Sequence, residues 1–192
     1  MPKLYFRYGA MNSSKTANLL MVAHNYQSQG KKVLLIKPNI DDRFGKNIIK
    51  SRSGIEKEAN YLLDKEDYNL REIDGSILEK TDAILVDEVQ FLTTEQINTL
   101  RELAKFCPVI CYGLRSDYKS QLFEGSKRLM EIADSIEEIK TICNFCNKKA
   151  IMNMKYAIVN GIEKSIKNGS DNPELGAEDK YLGVCWECWN KF

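Results

Sequence analysis

The chain of 192 residues is poor in three things, and each shortage removes a class of explanation. Charge of one sign is missing: 28 Lys and Arg stand against 27 Asp and Glu, a formal net charge of +1. Binding to nucleic acid or a membrane surface depends on excess cation, so neither is expected as the main partner, and a small-molecule ligand fits better. Long apolar runs are missing too. The N-terminus, Met-Pro-Lys-Leu-Tyr-Phe-Arg, has no apolar signal core, and no stretch approaches the roughly 20 residues that span a bilayer, so the expected compartment is the cytoplasm. Histidine is nearly missing. The single His24 lies about two turns into a helix-like run with no partner placed for it, which argues against histidine-based catalysis.

Cysteine is present in force, with six residues. In a cytosolic chain they point to metal or buried thiols before disulfides. Cys107 and Cys111 flank and occupy the apolar run Pro108–Tyr112 and are expected in the core. The other four form two C-x-x-C pairs, Cys143/Cys146 and Cys185/Cys188, with 38 residues between them. Two such knuckles supply the four thiolates of a closed, structural Zn²⁺ site; an unmetallated or redox pair is the alternative. Between them, residues 151–159 are strand-like, while 160–176, rich in Gly, Asn, Ser, Asp and Pro, are expected to form a long loop, either a lid over a ligand or an exposed linker.

The N-terminal stretch carries the chemistry. Leu4–Tyr8 is an apolar strand that runs into Gly9, Ala10, Met11, Asn12, Ser13, Ser14, Lys15 and Thr16, followed by a helix-like run with Ala17, Leu20, Met21 and His24 on its apolar face. The pattern G-x-x-x-x-G-K-[ST] wraps phosphates in backbone N–H groups at a helix N-terminus, with Lys supplying charge and Thr reaching Mg²⁺. Here Ser14 stands where the second Gly belongs, and Ser must bring a Cβ to a position that Gly fills in any backbone conformation. A chance strand-to-helix turn is the alternative.

Further along, residues 31–37 and 81–88 each contain an apolar run expected to be buried on both faces of a parallel sheet. The first is followed by the turn Asn39–Gly45, from which Arg43 could face a phosphate or simply solvent. The second ends in Asp87 and Glu88, placed about seventy residues after the loop, as an acid for the Mg²⁺ shell beside a carboxylate for the nucleophile's proton; two solvated acids capping a strand are the alternative. Thr93-Thr-Glu-Gln96 has capping-box form and opens a helix expected to reach Phe106. Residues 108–114 make another strand, 125–134 a helix and 136–142 a last strand. Residues 48–80 give no definite pattern.

Taken together, six ordered motifs resemble the type II thymidine kinase family, the P-loop and zinc-ribbon deoxynucleoside kinases, over essentially the full length. They are Gly9–Thr16, Asp41–Gly45, Val86–Phe91, Cys111–Tyr118, the paired knuckles and Leu175–Tyr181. The resemblance implies an α/β fold, a mostly parallel, RecA-like P-loop sheet with flanking helices over residues 1–142, and a small zinc ribbon carrying a lasso loop over 143–192. It implies transfer of the ATP γ-phosphoryl to the 5′-hydroxyl of thymidine. On that resemblance Lys15 and Arg43 attend the phosphates, Thr16 and Asp87 hold Mg²⁺, and Glu88 is the general base. Met11, Phe91, Leu114, Tyr118 and Phe123 wall the nucleoside, with Gly176 and Tyr181 on the returning arm of the lasso. A homotetramer inhibited by thymidine triphosphate is implied as well. The alternatives are a deoxynucleoside kinase of another base preference, or a P-loop ATPase whose ribbon contacts nucleic acid.

Overall fold

The computed structural model describes residues 2–67, 70, 78–159, 162–166 and 181–191. The first strand, β1 (Leu4–Tyr8), leads through the loop into α1 (Lys15–Ser28) and β2 (Val33–Pro38). Short strands β3 (Ile48–Lys50), β4 (Glu56–Glu58) and β5 (Tyr61–Leu63) follow, then β6 (Ala83–Val86), a 3-10 turn at Val89–Phe91, α2 (Thr94–Leu103), β7 (Val109–Gly113), α3 (Glu124–Ile132) and β8 (Ser135–Glu138). Six of these strands form one sheet in the order β5-β2-β6-β7-β1-β8, parallel at every pairing.

The sheet follows from its apolar runs. Successive side chains of a strand point to opposite faces, so a continuous run is stable only when both faces are covered. Leu34 and Ile36, Ile84 and Val86, and Val109 and Cys111 enter one core with Ile97, Leu100 and Leu103 of α2 and Leu129 of α3. Leu35, Leu85, Ile110 and Tyr112 enter the opposite core with Leu19, Leu20 and Ala23 of α1. Both thiols expected in the core, Cys107 and Cys111, are buried. Right-handed crossovers from parallel strands then bring the C-terminal ends of β1, β2, β6 and β7 to one edge.

Several boundaries move. The apolar stripe of α1 is Leu19, Leu20 and Ala23, whereas Met21 and His24 are exposed, because the helix faces the sheet one residue out of step with the expected spacing. The Thr93–Gln96 capping box forms, with Thr93 Oγ1 accepting from Gln96 N and Gln96 Oε1 from Thr93 N, but the helix stops at Leu103 and leaves Phe106 exposed. The last strand of the sheet is Ser135–Glu138, shorter than expected.

Beyond it lies a second, antiparallel sheet of β9 (Met152–Val159), β10 (Ile162–Ile166) and β11 (Tyr181–Val184), ordered β10-β9-β11, followed by the short α4 (Trp186–Lys191). The expected loop over 160–176 is corrected in part. Residues 162–166 are a strand whose backbone pairs from Ile162 with Val159 to Ile166 with Lys155. Their polar composition hid a hairpin that the ladder to a neighbour creates. The rest of the expected lasso, Gly176 included, lies outside the described residues.

Candidate active site

The phosphate loop begins where β1 ends. A Cβ at Gly9 would run into Ser13 and approach the carbonyl oxygen of Ile139 to 2.5 Å, so only glycine lets the chain turn there. Asn12 and Ser14 both adopt left-handed backbone, with φ of 65° and 60°. Ser14 therefore occupies the conformation for which the motif uses glycine, at a cost of about 1–2 kcal/mol relative to right-handed backbone. Lys15 Nζ reaches back to Ala10 O at 3.0 Å and Ser13 Oγ at 3.3 Å, holding its charge inside the curl of the loop. Burial lowers the Lys15 ammonium below its ordinary value, and Glu88 and Asp87 pull it part of the way back.

The acidic strand end faces this loop. Thr16 Oγ1 donates to Asp87 Oδ2 at 3.0 Å across 71 residues. Asp87 is buried; that burial, with the neighbouring Glu88 charge, pushes its carboxyl up to about 7. A hydroxyl and a carboxylate oxygen beside a phosphate loop are the hard donors that suit Mg²⁺. At Glu88 the chain leaves the strand in left-handed backbone, φ 50°, which turns the carboxylate out of the core. Arg43 Nη2 donates to Glu88 Oε1 at 2.5 Å and Arg43 Nε to Asp41 Oδ1 at 2.6 Å. Burial opposes the Arg43 charge, but the two carboxylates outweigh it and raise the group further. Of the two readings open for Arg43, solvent or phosphate, the half-buried one beside Glu88 is what the turn produces.

Gln90 was not anticipated. Its Nε2 donates to Glu88 Oε2, and its Oε1 accepts from Leu114 N at 3.0 Å. The amide ties the acid to the neighbouring strand end, and Gly113 beside it has no room for a Cβ, which would come within 2.6 Å of Gln90 Oε1. The signal was present two residues after Glu88, as the polar member of Val-Gln-Phe in an otherwise apolar segment.

From Lys15, Arg43 and Glu88 a cavity of about 580 Å³ opens, walled by Met11, Phe91, Leu114, Tyr118, Phe123 and Tyr181. That volume lies within the range of small-ligand pockets. Phe91 and Phe123 meet edge to face at 6.2 Å between centroids, and Tyr118 and Tyr181 are tilted at the same separation. All the expected wall residues inside the described segments thus converge. Asn153 of β9, also unanticipated, lines the cavity and joins the two sheets: Met11 N donates to its Oδ1 at 2.8 Å, and its Nδ2 donates to Ser116 O at 2.7 Å. One polar residue between Met152 and Met154 gave too little pattern to single it out.

The four knuckle cysteines form one cluster, with all sulfurs within 4.8 Å of one another. Cys146 Sγ lies 3.6 Å from Cys185 Sγ and 3.8 Å from Cys188 Sγ. Four sulfurs about 2.3 Å from a tetrahedral Zn²⁺ stand about 3.8 Å apart, so the donor set fits that ion. Phe145 N and Cys188 N each approach a cysteine sulfur of their own knuckle, Cys143 and Cys185, at 3.4 Å. The cluster sits behind the cavity wall, since Trp189 Nε1 donates to Tyr118 O at 3.2 Å.

A parallel sheet that presents a Lys-Thr phosphate loop and an Asp-Glu strand end at one edge defines a P-loop nucleotide-binding protein. Within that class the family model described as thymidine kinase matches residues 2–189, and the chain belongs to that family. The chain is 42% identical over 192 residues to the thymidine kinase of Chromobacterium violaceum, covering 99% of each chain. It is 43% identical over 198 residues to that of Francisella tularensis subsp. holarctica, covering 100% of this chain and 98% of the relative. With that of Listeria monocytogenes serotype 4b it shares 43% over 190 residues, covering 98% and 96%.

Proposed function

We propose that the protein is an ATP-dependent thymidine kinase. The observation that carries the reading is the single cavity in which Glu88 and the Lys15 loop share one end with an aromatic wall, in a chain that matches the family over nearly its whole length. The wall would sandwich the flat base, and the 5′-hydroxyl would lie toward Glu88. Lys15 and the open N–H groups at the start of α1 would hold the phosphates. Glu88 takes the 5′-hydroxyl proton as the O5′–P bond forms and the bond from the γ-phosphorus to its bridging oxygen breaks, releasing ADP. Arg43 would leave Glu88 to meet the transferring phosphoryl, whose charge replaces the carboxylate as its partner. Mg²⁺ held by Thr16 and Asp87 would neutralise phosphate charge, and Zn²⁺ on the four cysteines would fix the ribbon of residues 143–192 against the sheet.

A homotetramer and inhibition by thymidine triphosphate rest on the likeness to the family alone. The test is a panel of nucleosides incubated with Mg²⁺-ATP and scored for 5′-monophosphates. Thymidine should be the preferred acceptor. Preference for another deoxynucleoside would shift the base assignment, and ATP turnover stimulated by DNA or RNA without any nucleoside would replace the reading by that of a nucleic-acid-dependent ATPase.

A further inference from the structure

Lys37 is a charged residue buried inside the sheet. It is 1% exposed, on a strand with neighbours on both sides, at a position where the alternation of β2 places an apolar residue facing the α1 core. Burying an ammonium costs several kcal/mol before its partners are counted, and a well-packed apolar side chain would serve the fold at least as well. The partners show where its effect goes. Nζ donates to Ile48 O at 2.9 Å and pairs with Asp41 Oδ2 at 3.3 Å. The other oxygen of the same carboxylate, Oδ1, holds Arg43 Nε at 2.6 Å, and Arg43 in turn holds Glu88. The charges alternate along the line Lys37, Asp41, Arg43, Glu88.

We infer that Lys37 is a positioning residue for the transfer step, acting on Arg43 through Asp41. Arg43 leaves on a turn between β2 and β3, and the Asp41 carboxylate grips its Nε at the root of the guanidinium while Glu88 holds Nη2. Asp41 can serve only if it is itself held, and Lys37, rooted in the sheet, holds it. Lys37 also offsets the Asp41 charge. Without that offset the carboxylate would bind Arg43 more tightly and hold it away from an incoming phosphoryl. Burial pushes the Asp41 carboxyl up, but Arg43 and Lys37 together bring it below its ordinary value, so it stays ionised as a bridge must. A Lys closing an apolar run reads as a solvated flank, so the residues alone do not point to this role.

The inference rests on the proposed kinase reading, and one experiment separates the two. Full-length wild type, Lys37→Met, Arg43→Met and the double variant are assayed for thymidine phosphorylation, with thermal unfolding and zinc content measured alongside. Lys37→Met should lower kcat about 10- to 100-fold and leave the KM for thymidine within about twofold. In the Arg43→Met background the same change should cost less than about twofold, because Lys37 then has nothing left to position. Multiplying losses in the double variant, or a raised KM with unchanged kcat, would overturn the inference while the kinase reading stands. A folded wild type with no thymidine phosphorylation would overturn both. If Lys37→Met does not fold, Asp41→Asn takes its place in the same cycle, with the same non-additivity expected and the same additivity counting against it.

Discussion

The two sheets that meet at the cavity are held together in different ways. In the six-stranded sheet Leu4, Phe6, Ile84, Leu85 and Val86 are fully buried, each contributing about 1.5–3 kcal/mol of burial, and helices cover both faces. Among the described residues the three-stranded sheet has a smaller cluster, Met152, Met154 and Val184 with Cys143 and Cys185, against which Ile151, Leu182 and Trp189 pack. Its four clustered cysteines suit a metal ion, which would add to its order. The chemistry is divided along the same line. The large sheet carries Lys15, Thr16, Asp87, Glu88 and Arg43, while the small one supplies Asn153 and Tyr181 to the cavity wall. On the proposed function, burial would fix the groups that react, and an appendage whose cysteines suit a metal would fix what they react upon.

If that division is right, damage to each side should have its own kinetic signature. The largest effect is expected at Glu88. Replacing it by Gln keeps the hydrogen-bonding shape but removes the base, so kcat should fall about 10²–10⁴-fold with ATP binding nearly intact. Rapid-quench kinetics and nucleotide titration check this; unchanged turnover would remove Glu88 as the base.

Stripping zinc should act on the other side. A chelator, or Cys185→Ser, should raise the KM for thymidine about 10- to 100-fold while ATP binding at the phosphate loop changes less. The only two tryptophans, Trp186 and Trp189, are stacked at 5.4 Å beside the cluster. Tryptophan fluorescence therefore reports the surroundings of the cysteine cluster, where Trp189 also meets Tyr118 O, and should change with metal loss. No change in fluorescence or KM on complete zinc removal would break the comparison.

A smaller effect is expected from pH. Asp87 is pushed up to about 7 by burial and the Glu88 charge. In the metal-free protein, stability from the retained proton is present below the unfolded value of about 4 and is lost as pH rises through about 7. Mg²⁺ takes the ionised form, so the proton competes with it. Between about pH 8 and about pH 6 the free Mg²⁺ needed for half-maximal turnover should rise up to about tenfold, and Asp87→Asn should abolish the trend.

Smallest is Ser14→Gly. It relieves left-handed strain but adds freedom to the unfolded chain, for a net gain of about 0.5–1 kcal/mol in urea unfolding. Loss of stability would mean that the serine side chain makes a compensating contact.

What could be read from the residues, and what could not, follows the same division. Strands buried on both faces announce themselves as apolar runs, and a phosphate loop or a thiol pair is a local pattern, so the sheet, Lys15, Glu88 and the cysteine cluster were legible. Asn153 and Lys37 were not, because a lone polar residue in an apolar run does not name its partners, which the fold supplies: Met11 with Ser116, and Asp41 with the carbonyl of Ile48. Gln90 stood beside Glu88 in the sequence, but its tie to Leu114 comes only with the fold. Met21 and His24 fell on the wrong side because a helix with apolar residues nearly all round sets no unique face. The strand at Ile162–Ile166 was hidden because it pairs by backbone, and its residues are mostly polar.

The most direct test of the central claim is the balance sheet of the reaction, followed by ³¹P NMR with Mg²⁺-ATP and thymidine. One ADP should form for each thymidine 5′-monophosphate, with no free phosphate and no ADP when thymidine is left out. ADP and inorganic phosphate accumulating without a nucleoside, and no 5′-monophosphate with one, would contradict it.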